Sequence, residues 1–314
     1  MNRIRSLVIG LGNVGLNYDD NNKQGIFSHC KSLYKHKKYT LVGAVDINSK
    51  QLNKFSSIYN LPGYIDVEES LRYLKPEFVI IAVPTEDHLN VFNKIIKYPY
   101  IKYILLEKPG TYNAKDLNKI FSISKKKKIK VFINYPRLFD NYFIKIAKKI
   151  GKCKNLQIFI FYNRGIFNNC SHYLSFLNLF IKKINNIKIL KIYKSFYKDP
   201  QADFFINSSK ADIYFFKNKT KRLSQYEIII NSEKGSWHSI NNFSEFNFSR
   251  IKRDTYLMNY DFYSNLKTLR NKNKHISQYL VYDKIYALIK NNSSNYKNNF
   301  IWTLEILNKI ILKI

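Results

Sequence analysis

The chain has 314 residues, with 53 Lys plus Arg against 22 Asp plus Glu for a formal net charge of +31, and it is 45% hydrophobic. That length and apolar content predict a soluble globular protein of two domains with a sizeable core. The charge raises nucleic acid or an anionic membrane as partners. However, the lysines are scattered through nearly every segment, and the one tight run, Lys125–Lys128, falls between an expected helix and strand, so neither partner is expected.

Three cysteines, Cys30, Cys153 and Cys170, are odd in number and far apart, which fits neither a zinc site nor a disulfide framework and points to a reducing cytoplasm; no metal is expected. No stretch reaches the length of a membrane span, and the apolar run in MNRIRSLVIG is too short for a signal peptide. The charge favours anionic substrates.

The first strand is expected at Arg5–Ile9, ending in glycines at 10, 12 and 15. After a buried strand, such a turn suits a dinucleotide: the first glycine allows the turn, the second lets backbone approach a pyrophosphate, and the third permits close packing. The competing reading is a plain glycine-rich strand end. Further strands are expected at Thr40–Val45, Phe78–Val83, Tyr103–Leu106 and Lys130–Ile133. They alternate with helices at Ser28–Lys35, Ser49–Tyr59, Val67–Leu74, Asp87–Lys97 and Ala114–Lys125, several opening on Ser, Asp or Asn caps. This alternation predicts a doubly wound parallel sheet over residues 1–134.

From about Tyr135 the rhythm changes. A helix at Phe139–Ile150, a strand at Leu156–Phe161 and a helical stretch at Ser171–Lys183 come first. Strands follow at Ile187–Phe196, Ala202–Asn207, Asp212–Phe216, Tyr226–Asn231 and Ser236–Ile240, predicting an α+β domain with an open, mostly antiparallel sheet over 135–314. Helices at Ile276–Lys290 and Phe300–Leu312 close the chain. The last has helical apolar spacing and reads as packing against the protein, with a membrane-surface helix as the alternative.

Asp46 ends the second strand, where a carboxylate can accept both hydroxyls of an adenosine ribose, favouring NAD over NADP; nearby Lys50 leaves room for NADP. The alternative is a simple helix cap. The spacing from Gly10 exceeds the usual ~20 residues because of a polar insert, 17–25, which interrupts the helix expected after the glycines. Ligands of parallel sheets bind beyond the strands' carboxyl ends, where AVPTEDH (82–88) and LLEKPG (105–110) place Pro84, Thr85, Glu107 and Lys108. The Lys108–Pro109 bond reads either as cis or as an ordinary turn carrying an exposed lysine.

In this order GLGNVG, AVD, AVPTEDH, EKPG, RGIFNNCSHYLSFL (164–177) and NSEKGSW (231–237) resemble the Gfo/Idh/MocA family over nearly the whole chain. The resemblance implies a nicotinamide dinucleotide on the first domain, held by Gly10, Gly12, Asn13, Val14, Gly15, Asp46, Pro84, Thr85, His88, Glu107 and Lys108. It implies a sugar or cyclitol on the second domain, hydride transfer at a hydroxyl or keto carbon flanked by Lys108 and His172, and association into dimers or tetramers. Neutral His172 can take the hydroxyl proton while the Lys108 ammonium stabilises developing negative charge; a cap or packed histidine is the alternative.

Asn168 stands where many members carry an acid, and Cys170 where glycine is commoner; a side chain there is expected to crowd the turn and tilt His172. Asn168 and Asn169 can still bind sugar hydroxyls. Asn134, Arg137 and Arg164 read as substrate-lining or as solvated surface. The expected function is an NAD(P)-dependent sugar or nucleotide-sugar oxidoreductase in polysaccharide precursor synthesis, with a non-catalytic NAD- and sugar-binding regulator as the alternative.

Overall fold

The computed structural model describes residues 3–20, 24–194, 199–218, 227–240, 243–254, 261–291 and 296–314. The chain divides into two compact units, one of Met1–Asp140 with His275–Leu304 and one of Asn141–Lys274 with Glu305–Ile314.

The first unit runs β1 (Ile4–Ile9), α1 (His29–Lys35), β2 (Tyr39–Val45), α2 (Ser49–Tyr59), β3 (Gly63–Tyr64), α3 (Val67–Leu74), β4 (Phe78–Ile81), α4 (His88–Ile95), β5 (Tyr103–Glu107), α5 (Ala114–Lys126), β6 (Lys130–Asn134) and α6 (Pro136–Phe139). Its strands form one parallel sheet in the order β3-β2-β1-β4-β5-β6. Leu7, Val8 and Ile9, all of Phe78–Ile81, and Ile104, Leu105 and Leu106 are buried, as sheets covered on both faces require. The cap signals are used: Ser28, Asn48, Asp66 and Asn113 each accept a main-chain N–H from the first turn of the following helix. Strand order reverses between β1 and β4, so the ligand crevice of such a sheet lies beyond these two strands.

The second unit runs α7 (Asn141–Ile150), β7 (Leu156–Tyr162), α8 (Ser171–Leu177), β8 (Ile184–Tyr193), β9 (Gln201–Ser208), β10 (Ala211–Lys217), β11 (Glu227–Ser232), β12 (Gly235–Ile240), β13 (Glu245–Arg253) and β14 (Asp261–Arg270). The order of its eight-stranded sheet is β14-β13-β12-β11-β7-β10-β9-β8. All pairs are antiparallel except β10 with β7. Along β9, Ala202, Phe204, Ile206 and Ser208 are buried while the alternate residues are half-exposed, so one face is covered and the other open.

Several details differ from the expectations. The helix expected at Phe139–Ile150 breaks at Asp140, which is extended at ψ 121°, and α4 is preceded by a 3-10 turn at Thr85–Asp87. Strands β13 and β14 were not among the expected elements: alternation in β13 is confined to Phe246 and Phe248, and only Phe246 is fully buried along its length. Residues 195–196 and 226, at the ends of two expected strands, lie outside the described residues.

The units also do not part at a single point near residue 134. Helix α9 (Ser277–Lys290) belongs to the first unit, its Tyr282 ring lying 5.5 Å from that of Tyr39 and 6.1 Å from that of Phe78. Helix α10 (Tyr296–Ile311) belongs through Leu304 to the first unit and thereafter to the second. All three cysteines are free and buried. Among the described residues no helix is long and apolar enough to cross a membrane.

Candidate functional site

The glycine turn follows β1 at the switch point. Gly10 has φ +99°, and a Cβ there would lie 2.6 Å from the Ala82 carbonyl, so only glycine lets the β1 and β4 ends approach this closely. A Cβ on Gly15 would fall 2.1 Å from the Gly10 oxygen, whereas one on Gly12 would meet nothing within 4 Å. The turn is thus packed at both ends and open in the middle, with Gly12 and Asn13 exposed and Val14 half-exposed. A phosphate could approach main chain there.

The insert changes how the following helix begins. Leu16 and Asn17 donate to the Gly12 carbonyl, a 3-10 turn spans Asn17–Asp19, and α1 starts only at His29. His29 N donates to Val14 O at 2.9 Å and Cys30 N to Gly15 O at 3.1 Å, so α1 resumes against the turn as though the insert were absent. The Asp19 carboxylate closes the excursion by accepting from Phe27 N at 3.0 Å and Ser28 N at 2.8 Å. The first N–H groups of α1 are therefore consumed within the protein, and phosphate contact falls to the turn itself.

Asp46 combines its two expected roles. One carboxylate oxygen accepts from Leu11 N at 2.6 Å and the other from Asn48 N at 2.8 Å, tying the glycine turn to the entry of α2. A carboxylate has about four lone-pair sites, and the half-exposed Asp46 retains capacity for ribose hydroxyls. The residues present thus fit an adenine dinucleotide: a turn open at its centre, beyond the switch-point strands, with a carboxylate beside it.

Pro84 is exposed and Thr85 half-exposed at the end of β4. His88, expected on the cofactor side, is instead fully buried. Its Nδ1 lies 2.8 Å from Gly110 O and its Nε2 3.0 Å from Val83 O, so it joins the two loops and has no surface for a ligand. Burial holds this imidazole below its ordinary pKa, against the pull of the two carbonyls.

The Lys108–Pro109 bond is cis, and Lys108 is half-buried. Glu107 Oε1 lies 2.9 Å from His29 Nε2 and accepts from Asn134 Nδ2, while Oε2 accepts from Lys108 N at 3.3 Å. Burial works to raise the Glu107 pKa, but the hydrogen bonds from His29 and Asn134 and the Lys108 charge outweigh it and hold the carboxyl below its usual range. Asn134 is 2% exposed, and its amide also donates to Gln278 Oε1 at 3.0 Å. It is an internal strut rather than a substrate-lining residue. Arg137, on α6, is half-exposed.

In the second unit, RGIFNNCSH forms a loop, a π-helical turn at Ile166–Cys170 and the start of α8. Asp199, which carried no sequence signal, holds this turn: its two oxygens accept from Phe167 N and Asn168 N, each at 2.8 Å. A Cβ on Gly165 would lie 2.0 Å from the Asp199 carboxyl carbon. Asn169, expected to bind substrate, is fully buried, its Oδ1 accepting from Arg164 N at 2.9 Å and Asn163 N at 3.3 Å. Cys170 points inward at right-handed helical angles (φ −64°, ψ −27°), so the expected crowding does not arise; burial raises its thiol pKa well above the ordinary value. Asn168 and His172 are half-exposed one helical turn apart, and Arg164 is exposed.

Lys108 thus belongs to the first unit and His172 to the second. Among the described residues no group of three or more His, Cys, Asp or Glu is placed to hold a metal. The first unit is an NAD-binding Rossmann domain of the oxidoreductase class: residues 4–135 match the family model described as oxidoreductase family, NAD-binding Rossmann fold. Over that span the chain is similar to the Gfo/Idh/MocA family.

Among solved structures, the whole fold is similar to a dehydrogenase from Clostridium difficile (TM-score 0.77, 16% identity, all of both chains). It is also similar to UDP-N-acetylglucosamine 3-dehydrogenase from Acidithiobacillus ferrooxidans (0.74, 13%, 100% of this chain and 98% of that one). A third is the WlbA dehydrogenase from Chromobacterium violaceum, crystallised with NADH and UDP-GlcNAcA (0.73, 16%, 100% and 94%). Among curated proteins, none matches this sequence.

Proposed function

We propose that this chain is an NAD(H)-preferring oxidoreductase that transfers a hydride between nicotinamide and a hydroxyl or keto carbon of a sugar or nucleotide-linked sugar. The observation that carries this reading is the Asp46 carboxylate bonded to Leu11 N beside an open glycine turn, at the point between β1 and β4 where strand order reverses. The basic balance of the chain and the nucleotide-sugar names of two similar structures support a nucleotide-linked substrate. Polysaccharide precursor synthesis in the cytoplasm is the proposed setting.

The dinucleotide, when bound, supplies the hydride acceptor or donor. His172, as a neutral imidazole, takes the proton of the substrate hydroxyl as its carbon gives up hydride, and returns it to the carbonyl oxygen in the reverse direction. The Lys108 ammonium donates a hydrogen bond to that oxygen and stabilises its developing charge. Asn168 and Arg164 are proposed to hold sugar hydroxyls or phosphate.

Phe159, Phe205, Tyr214 and Phe216 form a half-exposed aromatic row on the open face of the second sheet, Tyr214 lying 5.4 Å from Phe159 and 4.9 Å from Phe205. We assign this row to self-association as a dimer or tetramer.

The test is nicotinamide absorbance with a panel of free and nucleotide-linked sugars. Turnover that is lost in both Lys108→Ala and His172→Ala supports the enzyme; turnover with free sugars alone removes the nucleotide-linked part. Asn168, in place of an acid, favours a non-catalytic regulator, for which NAD and sugar bind without turnover.

A further inference from the structure

Beneath Lys108 lies a buried polar network to which the mechanism above assigns no task. Tyr282 Oη lies 2.7 Å from His29 Nδ1, and Gln278 Nε2 lies 3.2 Å from the same nitrogen. An amide N–H₂ can only donate, so Nδ1 is the acceptor and Nε2 carries the proton that faces Glu107 Oε1 at 2.9 Å. Asn134 closes the ring, donating to both Glu107 and Gln278. His29, Asn134, Gln278 and Tyr282 are each no more than 4% exposed. A helix following the glycine turn, the ends of β5 and β6, and α9 therefore meet on one carboxylate, whose free oxygen accepts from the main chain of Lys108.

We propose that His29 is a positioning residue for Lys108: held in one tautomer by Tyr282 and Gln278, it fixes Glu107, and Glu107 fixes the backbone of Lys108 and sets a negative charge beside its ammonium. The proposal rests on reading Lys108 as the acid–base lysine. A merely structural hydrogen bond would be satisfied by any well-packed substitution, whereas a positioning role requires the donor itself. The insert bears on this arrangement. By looping out between Leu16 and Ser28 it leaves His29 bonded to Val14 O, which keeps the imidazole in reach of Glu107 despite the added residues. The ionisable groups that face Glu107 are His29 from α1, His88 from α4, Lys108 after β5, Tyr135 after β6 and Tyr282 from α9.

The experiment uses the full chain and reads Lys108 without turnover. Its acetylation by trace acetic anhydride is followed by mass spectrometry across pH, with exposed Lys119 of the same digest as reference. Four proteins are compared: wild type, His29→Leu, His29→Gln and Tyr282→Phe. Loss of the donor in His29→Leu weakens the hold on the Glu107 carboxylate and its support of the ammonium, so Lys108 becomes reactive at lower pH than in wild type. Tyr282→Phe, which keeps the ring and removes the hydroxyl, shifts the profile the same way by less and carries the test if His29→Leu fails to fold. His29→Gln, whose amide can replace the Nε2 donor, restores the wild-type profile.

With a substrate in hand, His29→Leu is expected to lower kcat about tenfold or more with little change in KM. Superimposable Lys108 profiles in wild type, Tyr282→Phe and His29→Leu overturn the proposal, as does failure of His29→Gln to rescue a shift. A clear shift in a protein that turns over no sugar leaves the positioning role standing and removes the dehydrogenase reading instead.

Discussion

Asp46 Oδ2 accepts the amide hydrogen of Leu11 at 2.6 Å, so the carboxylate proposed to receive the ribose hydroxyls also holds the glycine turn in shape. Replacing it by Ala leaves that part-buried amide without its acceptor, at a cost of about 1–3 kcal/mol. We expect Asp46→Ala to lower stability by this order and to weaken NAD binding about tenfold or more. Asp46→Asn, which keeps an acceptor and loses the charge, should narrow the preference for NAD over NADP. Calorimetric titration with both dinucleotides checks this; an unchanged ratio in Asp46→Asn would remove the charge from the account of specificity.

The three glycines should separate stability from binding. Ala at Gly10 meets main chain at 2.6 Å with φ +99°, and Ala at Gly15 meets main chain at 2.1 Å, so each should cost about 1–3 kcal/mol or more in urea unfolding. Gly12→Ala meets nothing and should leave stability within about 0.5 kcal/mol while weakening dinucleotide binding. If Gly12→Ala binds NAD as wild type does, the open centre of the turn is not where the phosphates lie.

Asp199 receives two main-chain N–H groups from the turn that carries Asn168 and leads to His172. Asp199→Ala should destabilise by about 1–3 kcal/mol and reduce turnover more than sugar affinity. Asp199→Asn, with a single carbonyl oxygen, should fall between the two. Melting temperature and steady-state kinetics together decide whether the residue serves the fold alone.

Acid should destabilise the first unit in two stages. Burial holds His88 below its ordinary 6.5, so unfolding takes up a proton once pH falls beneath 6.5, and the His88 contribution, full above that value, is lost as pH drops through the folded value. Glu107 is likewise held below 4.5, and its contribution is present above 4.5 and lost further down. Urea unfolding across pH should therefore show a falling limb below 6.5 that His88→Asn flattens, and a second below 4.5 that Glu107→Gln flattens. An unchanged upper limb in His88→Asn would assign it to other groups.

The Rossmann sheet was legible because its strands are buried on both faces and read as continuous apolar runs, punctuated by glycines and caps at nearly every boundary. Two-residue β3 was too short to leave a period, and β13 and β14 lack the one-sided burial that produces alternation. The site divided in the same way. Gly10, Gly12 and Gly15 announce themselves by spacing and Asp46 by its place at a strand end, because main-chain geometry there demands those residue types. His29, Asp199, Gln278 and Tyr282 did not, since their partners are distant in sequence and nothing local requires them.

The sequence by itself determined the fold class of both halves and the glycine turn at the end of β1, since period, capping and glycine placement are local consequences of backbone sterics. Only the tertiary structure decided that 275–304 belongs with the first unit, and that Asn134, His88 and Asn169 face inward onto protein groups. Those outcomes depend on which buried donors and acceptors meet across long stretches of chain, and a buried polar atom takes whatever partner the packing brings to it.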